Sequence, residues 1–275
     1  MQEDVEKIAH ELRIDIAKLF FCSGTGHMAP ALSCIDILTA LYFGGVADLD
    51  KRFGDSRDRV ILSKGHACAA LYVVLARLGY FPREELWTFY KRNSRLGGHP
   101  NIALSGIETA TGALGHGICF ATGTAKAAKM SGKDFRTYVI VGDGELQEGS
   151  VWEAAEFATN QKLDNLTVIV DRNRLQASDW VDDIAPIDPL VDKWKSFGWH
   201  AETVDGHDIA ALIDTLTAAK LRADQPTVLI ANTIKGKGIS LAENSPNWHS
   251  RAPKKDEWRS VCEDLKITME ELQSL

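Results

Sequence analysis

The sequence predicts an α/β fold, a mostly parallel sheet with helices on both faces. Three observations lead there. Thr137 to Val141 is a short apolar run rich in β-branched residues, and Val168 to Asn173 opens with a second one. Between them, Val151 to Asn160 carries helix-forming residues at helical spacing. The unit is therefore β-α-β, and a right-handed crossover brings both strand ends to one edge of the sheet, where open α/β folds bind ligands.

The remaining elements follow along the chain. Val5 to Phe21 places Ile8, Leu12, Ile16 and Leu19 on one helical face, and Ser23-Gly24 ends that helix. Ile35 to Phe43 reads as a second, more buried helix, and Arg59 to Leu62 as a short strand. Ala67 to Leu78 returns as a helix. Pro82 at a first helical position predicts another, carrying Trp87, Phe89 and Tyr90. Asn93 to Gly112 lacks sustained periodicity and is rich in Gly, Ser, Asn and Thr, so it is expected to be a long functional loop. Ala113 to Met130 is a small-residue helix. Trp199 to Val204 and Thr227 to Ala231 are strands, with Asp208 capping the helix between them.

Composition sets outer bounds. At 275 residues and 45% hydrophobic, the chain can bury a large core as one domain, here expected over 1–275. Against 38 acidic residues stand 31 basic ones, a formal charge of −7 that disfavours a nucleic-acid or anionic-membrane surface. The five cysteines are odd in number and lack metal-ligand spacing, as expected of reduced thiols in a cytoplasmic protein. Met1 to Leu19 is too charged for a signal peptide, and no apolar run is long enough to span a bilayer.

Chemistry concentrates where the two central strands end. Gly142-Asp143-Gly144 follows one and Asp171-Arg172-Asn173 closes the other. Asp143 and Asn173 offer one charged and one neutral hard oxygen, a pair suited to Mg²⁺ that keeps positions open for phosphate oxygens. Gly142 and Gly144 let backbone approach a diphosphate closely. His27, His66, His99 and His249 each sit beside Gly, Pro or Ser in turn or loop segments, where an imidazole can reach a ligand and exchange a proton near neutral pH. Glu148 and Glu153 open a helix, where acids favour the amino-terminal dipole. Asp164 and Asp171 read as strand-flanking loop residues, and Lys235 and Lys237 as solvated or pocket-rim charges, with a phosphate contact open to them.

The Gly-Asp-Gly segment and the Asn about thirty residues later resemble the thiamine diphosphate motif. Arg172-Asn173 stands where the family has Asn-Asn or Asp-Asn. Glu145-Leu146-Gln147-Glu148-Gly149 is similar to transketolase. Gly26-His27-Met28-Ala29-Pro30, Ser63-Lys64-Gly65-His66-Ala67, Gly97-Gly98-His99-Pro100, Thr111 to Gly117 and Ile234 to Gly238 appear in that family's order. The match covers the diphosphate-binding half, and the chain stops where the pyrimidine-binding half would begin. The chain thus resembles the amino-terminal subunit of a split transketolase, with the thiamine diphosphate-binding fold.

That resemblance implies transfer of a two-carbon ketol unit from a ketose, expected to be phosphorylated, to an aldose. It implies thiamine diphosphate with Mg²⁺, or Ca²⁺ or Mn²⁺, held by Asp143, Asn173 and the Leu175 carbonyl. Cofactor contacts fall on His66, Leu114, Gly115, Gly142, Gly144, Glu145, Asn173 and His249. His27 and His99 line the donor-sugar channel, His66 and His249 lie at the reaction centre, and Glu148 and Glu153 sit at a subunit interface. A separate pyrimidine-domain subunit would supply the glutamate that activates the cofactor, in a dimer of heterodimers. Two other readings stay open: a subunit of another thiamine enzyme, of the deoxyxylulose phosphate synthase or 2-oxo acid dehydrogenase kind, and a non-catalytic cofactor-binding module.

Overall fold

A computed structural model describes residues 4–49 and 54–274. Its centre is a five-stranded sheet in the order β1-β2-β3-β5-β4. The strands are β1 (Arg59–Leu62), β2 (Thr137–Gly142), β3 (Leu166–Arg172), β4 (His200–Asp205) and β5 (Thr227–Asn232). Every pairing is parallel, and Gly142 lies opposite Asp171 in the register of β2 and β3. Strand alternation divides the core. Tyr138, Ile140, Ile169 and Leu229 face one layer, while Val139, Val141, Val168, Val170 and Ile230 face the other.

The first layer is packed by α1 (Val5–Ser23), α2 (Met28–Phe43), α3 (Cys68–Arg77) and, further along the chain, Ile209–Ala219. The second is packed by α4 (His116–Met130) and α5 (Gly149–Asn160), with α6 (Val181–Ile184) and α7 (Leu190–Ser196) beside them. Ile209–Ala219 is α8, and Asp208 caps it by accepting from Ala211 N at 2.9 Å, as the sequence predicts. Two short helices, α9 (Trp258–Leu265) and α10 (Met269–Gln273), close the described chain against α1. Among the described residues no helix is long and apolar enough to cross a membrane.

Three element boundaries differ from expectation. The second helix begins at Met28, a full two turns before Ile35, because Pro30 falls in the first turn, where its missing N–H costs nothing. Pro82 starts only a 3-10 segment, Arg83–Thr88. Tyr90, at φ 61, turns the chain away and donates its amide to Leu96 O at 3.0 Å, so Phe89 and Tyr90 are not helical. The small-residue helix starts at His116 rather than Ala113, since Gly112 (φ 144) and Gly115 (φ 78) take conformations outside the helix. Gly112 also needs to lack a side chain, because a Cβ there would stand 2.7 Å from the His99 ring.

All five cysteines are free thiols. Cys34, Cys68 and Cys262 are buried, and Cys119 is exposed.

Candidate functional site

Parallel strands end together, so the residues that follow them share one edge. Asp143 follows β2, Asn173 follows β3, Ser63 and Lys64 follow β1, and Lys235 comes shortly after β5. They surround a cavity of about 320 Å³ whose wall includes His66, His99, Leu114, Gly142, Asp143, Gly144, Glu145, Asn173, Leu175, Gln176, Lys235 and His249.

Backbone amides fix the oxygens at the floor. Asp143 accepts from Gly144 N at 2.8 Å and from Arg174 N at 2.5 Å, which ties the end of β2 to the turn after β3. Asn173 accepts from Leu175 N at 3.1 Å and donates to Ser33 Oγ at 3.1 Å. Burial pushes the Asp143 carboxyl up to about 7, and the neighbouring Asp171 charge adds to it, outweighing the two amides. Among the described residues no group of three His, Cys, Asp or Glu side chains could cage a metal. The Asp143 carboxylate and the Asn173 amide oxygen are hard oxygens on one cavity wall, of the kind that suits a partly hydrated divalent cation, whereas the Leu175 carbonyl accepts from Lys235 at 3.0 Å.

Behind this floor lies an ion pair that the sequence reading missed. Asp171 sits within β3, not in a flanking loop, and is fully buried. It pairs with the Lys64 ammonium and accepts from Ser33 Oγ at 2.6 Å and from the Thr233 hydroxyl. Lys64 also donates to Pro30 O at 3.2 Å. The bonds hold Asp171 below its ordinary carboxylate value although burial opposes them; Lys64 likewise stays above its usual value against burial. Asn173 hangs from the same Ser33, so the hub fixes its side-chain amide at the cavity floor.

Of the two expectations for Lys235, a solvated charge or one at the pocket, the structure corrects the first: it is buried and lines the cavity. Its Nζ donates to Leu175 O at 3.0 Å, Gln176 O at 3.1 Å and His249 Nδ1 at 2.8 Å. Burial first, then the Lys64 charge, brings its pKa down to about 7. His249, accepting at Nδ1, keeps its proton on Nε2. Burial, followed by the Lys235 charge, takes it down to about 3. Lys237, by contrast, is half-buried and 3.9 Å from Glu243, as read from the sequence.

The four histidines converge. His27 lies 5.4 Å from both His66 and His249, ring centre to ring centre, and 6.5 Å from His99; His66 and His249 are 5.2 Å apart. Burial lowers His27 and takes His66 well below its ordinary value, so both rings are neutral near pH 7. Among the described residues, His27 Nδ1 is buried without a hydrogen-bond partner.

The other predicted residues divide. Glu145 is buried, accepting from Gly115 N at 2.9 Å, Gly142 N at 3.0 Å and the Ser63 hydroxyl. It therefore braces both turns. Leu114 lines the cavity, whereas the Gly115 amide is committed to Glu145. His116 is exposed and its Nδ1 lies 3.1 Å from Leu114 O. Glu148 and Glu153 are exposed at the start of α5, with exposed Phe157 one turn beyond Glu153. Arg172 pairs with Asp188 at 2.5 Å, across the segment between β3 and α7 from which Gln176 to Ser178 reach the cavity wall.

Comparison with known proteins then decides the family. The model of the transketolase thiamine diphosphate binding domain matches residues 5–271. The chain belongs to the transketolase family. It is 44% identical over 267 residues to one of the subunits of the apulose-4-phosphate transketolase of Actinobacillus succinogenes, covering 96% of each chain. The protein of the same name from Phocaeicola vulgatus is 38% identical over 272 residues, covering 98% of this chain and 97% of that one. Among solved structures, transketolase from Leishmania mexicana superposes with a TM-score of 0.91 at 27% identity. The match covers all of this chain but only 42% of the Leishmania enzyme, so the chain spans about two fifths of that transketolase.

Proposed function

We propose that the chain is the amino-terminal, diphosphate-binding subunit of a thiamine diphosphate-dependent transketolase of the cytoplasm. It would transfer a two-carbon ketol unit from a phosphorylated ketose to an aldose together with a pyrimidine-domain subunit, in a dimer of heterodimers. The observation that carries the reading is the convergence of Asp143, Asn173 and Leu175 in one cavity with the clustered histidines. The end-to-end match to the Actinobacillus and Phocaeicola relatives supports a partner, because each of these is named as one subunit of its transketolase.

Asp143, Asn173 and Leu175 O would hold Mg²⁺, with Ca²⁺ or Mn²⁺ as substitutes. Gly142, Gly144 and Lys235 would receive the diphosphate, and Leu114 would meet the aromatic rings. When bound, thiamine diphosphate supplies the carbon nucleophile that the transfer needs. The protein supplies position and proton control. Neutral His27, whose Nδ1 has no hydrogen-bond partner among the described residues, can accept a proton from a sugar hydroxyl, while His249, held by Lys235 at Nδ1, can donate a hydrogen bond from Nε2. His99, packed over Gly112, would orient the donor sugar. Exposed Glu148 and Glu153, beside exposed Phe157, would meet the second subunit.

Isothermal titration with thiamine diphosphate tests the reading. Binding is expected only when Mg²⁺ is present, and a donor screen should favour ketose phosphates over pyruvate. Metal-independent binding, or turnover of pyruvate alone, overturns it.

A further inference from the structure

Away from the cavity, a cluster of charged and titratable groups fastens the segment that carries Lys235. We propose that Asp36 and His207 form a brace that sets the position of Lys235; the proposal rests on the thiamine diphosphate reading only for the ligand that Lys235 meets. His207 lies in the turn between β4 and α8, and its Nε2 accepts from Ile234 N at 2.8 Å. An accepting Nε2 places the proton on Nδ1, which donates to Asp36 Oδ2 at 2.7 Å. Asp36, buried on α2, also takes Arg13 of α1 at 2.5 Å, and Arg13 Nε reaches Lys237 O at 3.4 Å. Burial alone would raise the Asp36 carboxyl, yet the bonds from His207 and Arg13 hold it below its ordinary value.

Gly236 adds a third fastening, donating its amide to Ala29 O at 3.1 Å. Residues 234, 236 and 237 are thus each pinned to the scaffold, and Lys235 is the one between them whose side chain crosses into the cavity. Neither Asp36 nor His207 lines that cavity. Their influence on it has to pass through the segment they hold, which makes them positioning residues.

The two ring nitrogens can be separated by substitution. In His207→Asn the amide nitrogen replaces Nδ1 and keeps Asp36, while nothing reaches Ile234 N. In His207→Gln the longer side chain puts an acceptor where Nε2 was. Hydrogen exchange on the full chain should show faster exchange at both Ile234 and Gly236 in His207→Asn and slower exchange in His207→Gln than in His207→Asn, short of native because Asp36 loses its donor. Titrated with thiamine diphosphate at saturating Mg²⁺, His207→Asn should bind about tenfold more weakly. Lys235→Ala should lose at least as much, and the double variant no more than Lys235→Ala alone.

Additive losses, or faster exchange confined to Ile234 with binding unchanged, overturn the brace. If the unaltered chain does not bind thiamine diphosphate, the proposed function falls, and the exchange comparison still decides the brace. Should His207→Asn fail to fold, Arg13→Lys goes through the same exchange and binding cycle, with loss of protection at Gly236 expected and native protection overturning the brace.

Discussion

Replacing Lys64 by Met removes one half of an ion pair whose side chains are 2% and 0% exposed. Asp171 would keep only the Ser33 and Thr233 hydroxyls and the more distant Asn173 amide. Leaving one buried charge unpaired costs about 3–5 kcal/mol. The carboxyl has an escape, which is to take up a proton. From an ordinary value of 3.8, staying protonated at pH 7 costs about 4 kcal/mol, and this caps the loss. The destabilisation at pH 7 should therefore be about 3–4 kcal/mol, a fall in Tm on the order of 10 °C. The sign with pH follows. In the variant the folded carboxyl has a raised pKa, so the folded state binds more protons than the unfolded one between pH 4 and 7, and stability recovers as pH falls. The loss should shrink by about 1.4 kcal/mol per pH unit. Urea denaturation followed by circular dichroism from pH 7 to 5 measures it. A loss under about 1 kcal/mol at pH 7, or one that does not change with pH, refutes the buried-pair reasoning.

Further outcomes follow from the same geometry. Asp143→Ala removes the carboxylate proposed to hold the cation and should weaken Mg²⁺-dependent thiamine diphosphate binding at least tenfold, about 1.4 kcal/mol, by calorimetry. With Asp143 raised to about 7, a cation must displace a proton below that pH, so Mg²⁺ affinity should fall by up to about tenfold per unit as pH drops from 7 to 6 and 5; a flat profile counts against Asp143 as ligand. Gly117→Ala would place a Cβ 2.6 Å from Ser63 Cα and should cost about 1–3 kcal/mol in chemical denaturation. Gly123→Ala, in the same helix with nothing within 4 Å, should instead stabilise the isolated chain by up to about 1 kcal/mol.

Much of this is legible in the residues. The two central strands declare themselves as β-branched runs, and the topology then requires Asp143 and Asn173 to share an edge. The histidines carry a weaker signal, since a His beside Gly or Pro is ambiguous until five ordered segments resemble one family. Asp171 escapes a reading that takes it as the end of a run rather than as a charge inside an apolar parallel strand, where burial demands a partner. Lys64, directly after β1 on the same edge, is that partner, and the two together are the available clue. Lys235 escapes because its burial comes from the segment at 174–178 folding over it, a contact with no local sequence signature. The 3-10 turn after Pro82 is hidden for the same reason: Tyr90 leaves the helical region through a bond to Leu96 further along the chain.

The most direct test of the account is two-carbon transfer measured with and without a second subunit. The purified chain, supplied with Mg²⁺, thiamine diphosphate, a ketose phosphate and an aldose, should show no transfer by itself and gain it when its pyrimidine-domain partner subunit is added. Robust transfer by this chain alone would contradict the account.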